Sequence, residues 1–192
     1  MKLIKLAFLF CFLTNISNAT ELKNKINNFF ASFNTMQAEF VQYDNYDNTK
    51  LTKGLFYIDR PGKLRFEYHS PFKSLLINNK KIAYYYDVDL DELTTIPSSK
   101  TPLSFLLQKS NSIEEMNFII ENIEKKDGKV FLKVKNKEID EVQHITFIFN
   151  SEITTLISII IQDGNGNNLT IELFNVKLNQ KIDKNLFILR KN

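Results

Sequence analysis

Residues 54–68, GLFYIDRPGKLRFEY, restrict the fold more than any other stretch of this chain. Gly54-Leu55-Phe56-Tyr57-Ile58 is rich in aromatic and branched side chains, and Pro61-Gly62 suits the central positions of a type II turn. Leu64, Phe66 and Tyr68 then alternate with Lys63, Arg65 and Glu67. The expectation is an antiparallel strand pair whose second strand turns Leu64, Phe66 and Tyr68 inward and Lys63, Arg65 and Glu67 outward, with Lys63 and Arg65 on a solvated face. In the first strand Phe56 and Ile58 share one side and Leu55 and Tyr57 the other, so both sides need cover. Arg60, directly before the turn, stands at the rim of whatever the sheet encloses.

The rest of the chain repeats this period. Leu22, Ile26, Phe29, Phe30 and Phe33 recur at helical spacing and predict one amphipathic helix. Period two begins at Met36, Ala38 and Phe40, followed by a polar connection over Asp44 to Thr52. Strand-like segments follow at Leu75 to Ile77, an Asn78-Asn79 turn, Ile82 to Tyr86, and Leu93 to Ile96. Thr101 as a cap with Pro102 at the first position introduces a short helix through Leu103, Phe105, Leu106 and Leu107, apolar on nearly all sides. Such a segment needs apolar material around it, and Thr101 to Gln108 is therefore read as a lid. Ser112 and Glu115 make a capping-box pattern for a further turn through Met116. Strands resume at Phe118 to Ile123, Val130 to Val134, Ile145 to Phe149, Leu156 to Ile161 and Leu169 to Leu178, with a parity change between Leu173 and Phe174 ascribed to a bulge. About ten or eleven strands in sequence-neighbour order predict a mainly β fold, an antiparallel meander. Curling it almost into a barrel around apolar residues, with helices closing the opening, protects its edges.

The ends bound the function. Lys2 and Lys5, the apolar run Leu6 to Leu13 and Ser17-Asn18-Ala19 predict a signal peptide, residues 1–19, cut after Ala19, leaving one domain over 20–192. Cys11 is expected to leave with it, so the exported chain has no cysteine for a disulfide. Loss of Lys2 and Lys5 lowers the formal charge from +3 to +1, which provides no overall field for nucleic acid. No later apolar run reaches the length of a membrane span. Chemistry is sparsely represented. His69 and His144 are outside any metal-ligand spacing, and Asp87, Asp89, Asp91 and Glu92 share only acidity with a calcium loop. No enzyme, cofactor or metal is read from these residues.

The sequence resembles the periplasmic outer-membrane lipoprotein carrier family, the LolA-like proteins. The resemblance is carried by Phe40-Val41-Gln42, Gly54 through Tyr68 with Arg60-Pro61-Gly62-Lys63 inside it, Ile77 through Tyr86, Thr101 through Leu107, Ile160-Ile161-Gln162-Asp163-Gly164 and Phe187. It implies an unclosed antiparallel half-barrel lidded by helices around a hydrophobic cavity for acyl chains. The implied partners are acylated lipoproteins, an inner-membrane lipoprotein-releasing ABC transporter and an outer-membrane acceptor, met by a monomer through transient contacts. The family's important arginine falls on Arg60, which in the closed state bonds to the lid; its place before Pro61, which lacks a donor, predicts charge-assisted bonds from the side chain to backbone carbonyls of the lid rather than recognition of an anionic headgroup. The cavity wall is assigned to Phe40, Phe56, Ile58, Leu64, Phe66, Leu75, Ile77, Ile82, Tyr84 and Tyr86, with Phe30, Phe33, Leu103, Phe105, Leu106 and Leu107 on the lid side. Two features depart from the pattern: the chain has no tryptophan, and it ends shortly after Leu189, where some carriers continue into an element linked to directional transfer. A lipid-binding or envelope-sensing protein on the same half-barrel is the alternative.

Overall fold

Sequence-adjacent hairpins with a single long connection between them leave few topologies open. In a computed structural model, which describes residues 19–45, 51–101, 103–136 and 142–189, they form one sheet. The expected signal segment with Lys2, Lys5 and Cys11, the middle of the Asp44–Thr52 connection, and Pro102 lie outside the described residues. Helix α1 spans 19–32. The strands are β1 (Thr35–Asp44), β2 (Thr52–Asp59), β3 (Lys63–Ser70), β4 (Ser74–Asn79), β5 (Ile82–Asp87), β6 (Glu92–Pro97), β7 (Phe118–Lys126), β8 (Lys129–Asn136), β9 (Val142–Asn150), β10 (Leu156–Asp163) and β11 (Asn168–Leu178).

They lie in the order β6-β5-β4-β3-β2-β1-β11-β10-β9-β8-β7, each neighbour antiparallel to the next. The sheet is not closed: β6 and β7 are its edges. These two edge strands are consecutive in the chain, so the segment joining them must pass from one rim of the sheet to the other. It contains three short 3-10 turns, Ser98–Lys100, Ser104–Leu107 and Glu114–Met116. A lid across the mouth is therefore a consequence of the strand order.

The inner face carries the core. Phe56, Ile58, Leu64 and Phe66 are buried with Phe30, Phe33, Phe147 and Phe149 in one apolar cluster, against which Tyr68 packs. Burial pushes the Tyr68 phenol well above the ordinary tyrosine range. The register of β3 follows the expected alternation, but its outer face is less wet than expected. Arg65 retains 12% side-chain exposure and donates to Leu186 O at 3.0 Å and to Glu67, because the 3-10 turn Lys184–Phe187 lies over this face and buries Phe187. Truncation should register the difference between the faces: Phe66→Ala is expected to cost about 3–5 kcal/mol in urea unfolding. The half-buried Tyr84→Ala on the outer face is expected to cost about 1 kcal/mol.

Several local expectations are corrected. The turn after β4 is Lys80-Lys81, with Lys80 at φ 64, while Asn78 and Asn79 are strand residues. Asn78 is fully buried, and its Nδ2 donates to Gly62 O at 2.9 Å. The parity change in β11 falls at Asn175, at φ 51, where the pairing with β1 gains an extra residue between Phe174 and Lys177. Thr101 does not cap the lid turn: its hydroxyl donates to Ser98 O at 2.7 Å, and the turn starts at Ser104 after Leu103. Of the capping box, Glu115 N donates to Ser112 Oγ at 3.2 Å, whereas the Glu115 carboxylate turns to Asn111 N and the Ser110 hydroxyl.

Candidate functional site

Three chain segments converge at the mouth of the sheet: the end of α1, the turn between β2 and β3, and the lid turn Ser104–Leu107. A helix end leaves carbonyls without intrahelical partners, and a 3-10 turn does the same on a smaller scale. Arg60 collects both sets. Its Nη1 donates to Phe30 O at 2.6 Å and Phe33 O at 3.4 Å, and its Nε donates to Leu106 O at 2.7 Å. Its Cζ lies 3.7 Å from the centroid of the Phe33 ring, and Nη2 has no partner among the described residues. Next to it, Gly62 N donates to Leu107 O at 3.0 Å, so consecutive lid carbonyls are held by one turn. Gly62 is at φ +82, the sign expected at that turn position.

Arg60 is 7% exposed and is the charged residue among the buried described ones. Burial lowers its pKa to about 10, still far enough above neutrality that the guanidinium is charged. A helix C-terminus carries partial negative charge, so the cation is well placed against the last carbonyls of α1. Each bond from a charged donor contributes about 1.5–3 kcal/mol net, and the ring contact adds about 1–2 kcal/mol.

Behind this corner the interior is hydrocarbon. Phe105 of the lid meets Phe118 and Phe147 edge-on at 4.8 and 5.5 Å, and Phe30 meets Phe147 at 5.4 Å. A second aromatic group, Phe40, Phe56, Phe66 and Tyr68, lines the inner face of β1 to β3. Phe30, Phe33, Phe40, Phe56, Ile58, Leu64, Phe66, Leu103, Phe105, Leu106 and Leu107 all belong to this one cluster. The lid turn is docked on this cluster, with Phe105, Leu106 and Leu107 buried in it. His69 and His144 follow and precede inward residues Tyr68 and Ile145, so both lie on the outer face; His144 Nδ1 is 2.8 Å from Glu121. Among the described residues no group of three His, Cys, Asp or Glu is placed to hold a metal ion.

Five wall assignments do not survive the register. Arg65 pairs with Ile77 and Glu67 with Leu75, so Leu75 and Ile77 share the outer face. Ile77 pairs with Tyr84, Leu75 with Tyr86 and Asn79 with Ile82, which carries Ile82, Tyr84 and Tyr86 to that face as well. The inward residues of β4 and β5 are instead Leu76, Asn78, Ala83 and Tyr85. Leu75-Leu76-Ile77 and Tyr84-Tyr85-Tyr86 are uniform runs, so alternation could not choose between their faces. The buried Ile77 faces the side covered by the turn Lys184–Phe187, which supplies the alternative cover.

Residues 31–190 match the family described as outer membrane lipoprotein carrier protein LolA. The chain belongs to the LolA family. An outer-membrane lipoprotein carrier protein of Methylococcus capsulatus is 26% identical over 175 residues, covering 88% of this chain and 83% of that protein. One from Legionella pneumophila is 28% identical over 179 residues, covering 89% and 84%. A LolA superfamily protein from Nitrosomonas europaea shares the fold at a TM-score of 0.50 and 9% identity, covering 88% of this chain and 96% of that one. Within this LolA-family chain, sequence reading overlooked the interior of the second half: Phe118, Phe147, Phe149, Ile159 and Ile161 complete the wall. Ile145-Thr146-Phe147-Ile148-Phe149 carried a usable signal, since its inward set is the more aromatic one.

Proposed function

We propose that this protein is a periplasmic carrier that takes the acyl chains of lipoproteins between its lid and sheet and passes them from the inner to the outer membrane. The observation that supports this best is the Arg60 corner, where one buried cation ties a lid with Phe105, Leu106 and Leu107 on its inner side to the sheet rim over a largely hydrocarbon interior. An interior of this kind is suited to chains of methylenes, each worth roughly 0.8 kcal/mol when buried. The bond that ties Arg60 to the lid itself, from Nε to Leu106 O, contributes about 1.5–3 kcal/mol, so a few methylenes offset it and cargo can displace the side chains packed under the lid. The protein acts by binding and release, not catalysis. Its partners in this reading are acylated outer-membrane lipoproteins, an inner-membrane lipoprotein-releasing ABC transporter as donor and an outer-membrane acceptor. A cleavable signal ending at Ala19 would deliver it to the periplasm.

Two measurements test this. Protein purified from cells is expected to bring down triacylated lipoproteins; recovery of phospholipid alone would favour the sensing or lipid-binding alternative. Amide exchange of residues 103–107 reports the lid. It is expected to slow by about tenfold or more when a triacylated lipopeptide is added, because bound acyl chains cover the lid and fix it. Unchanged exchange with bound cargo would make the segment fixed core.

A further inference from the structure

Beside the latch, outside the apolar interior, is a hollow of about 520 Å3, within the size range of small-molecule sites. One wall is fixed frame: Gly62, the Lys80-Lys81 turn and the hydroxyl-bearing pair Ser98-Ser99. The other wall is the lid, through Ser104, Leu107 and Gln108. No carboxylate is among the described residues that line it.

We infer that this hollow binds a phosphate group, free or on a lipid headgroup, and that a phosphate seated there holds the lid shut. The charge pattern points to an anion. Lys80 and Lys81 form no ion pair with any described residue, and hydroxyl and amide donors face them across the hollow. The turn that bears them is clamped on both sides: Lys80 N donates to Gly62 O at 2.7 Å, and Ser98 N donates to Lys81 O at 2.9 Å. Such a site is organised before the ligand arrives, which lowers the cost of binding.

The sign of the coupling follows from the walls. Gln108, Ser104 and Leu107 complete the hollow only while the lid is docked, so an anion that binds the complete site favours the closed state. Resting on the carrier reading, the consequence is that a phosphate-rich membrane surface favours expulsion of cargo.

The test is amide exchange of residues 103–108 in the cargo-free protein, with inorganic phosphate against chloride at equal ionic strength, and residues 145–149 as an internal reference. Phosphate is expected to slow lid exchange about fivefold or more relative to the reference, and Lys80→Asn/Lys81→Gln is expected to abolish the effect. Asn is chosen because it tolerates the left-handed backbone at position 80; Lys81→Gln alone serves if the double variant unfolds. Vesicles of phosphatidylethanolamine and phosphatidylglycerol, compared with vesicles of a phosphate-free galactolipid, separate the two sources. Protection by phosphate alone identifies a free-anion site, and protection by the phospholipid vesicles alone identifies a headgroup site. Exchange that is the same in wild type and variant under every condition overturns the inference. Because no cargo is present, that result would leave the carrier reading standing, whereas failure to recover lipoproteins would leave the anion site standing.

Discussion

Arg60→Leu is expected to leave the protein folded and able to load acylated cargo, while slowing transfer to the acceptor by roughly 10- to 150-fold. The estimate takes the net worth of one charge-assisted bond, about 1.5–3 kcal/mol, as the bias lost from the closed state. The variant removes all donors from Phe30 O, Phe33 O and Leu106 O at once, and these carbonyls regain water only if the lid lifts. The open form, which holds cargo, is thereby favoured, and release is the step that suffers. The check is transfer from purified, loaded carrier to outer-membrane acceptor for both proteins, alongside urea unfolding. Unchanged transfer with a loss confined to unfolding would make Arg60 a structural corner. Arg60→Lys is expected to fall between, because one ammonium cannot reach the helix end and the lid together in the geometry of a planar fork.

Gly54→Ala should be the most damaging small change in the chain. A Cβ at Gly54 would lie 1.9 Å from Glu67 O and 2.9 Å from a ring carbon of Phe40. The first neighbour is backbone of the paired strand β3, so relief requires spreading β2 from β3. The second belongs to the aromatic group of Phe40, Phe66 and Tyr68, which closes down over the missing side chain. A loss of about 3–5 kcal/mol is expected. Gly128→Ala is the control. Its Cβ would meet nothing within 4 Å, and only its φ of +70 disfavours a side chain, for about 1 kcal/mol. Urea denaturation of the pair measures the difference directly, and equal losses would show that the strand contact at Gly54 relaxes freely.

Much of the architecture was readable from residue order. Period two with turn residues between the runs located the strands, because alternating side chains leave no other way to bury one face. The Pro61-Gly62 turn and the amphipathic helix ending near Phe33 follow from local chemistry and appear where that chemistry put them. The lid was legible too, as a segment too apolar to remain in water. Three things were decided only by tertiary structure. The faces of β4 and β5 depend on pairing to β3, since Leu75-Leu76-Ile77 and Tyr84-Tyr85-Tyr86 bear no alternation, and cover by the turn Lys184–Phe187 makes an apolar outer face acceptable. The pairing of β1 with β11 joins the two meanders and makes β6 and β7 the edges, so that the connection between them crosses the mouth. The bond from Arg60 to a main-chain carbonyl of the lid was legible, because Pro61 has no donor and the long side chain is the bonding group at that corner; the carbonyls of Phe30 and Phe33 at the helix end were not, because only the meeting of helix, lid and turn brings them to Arg60.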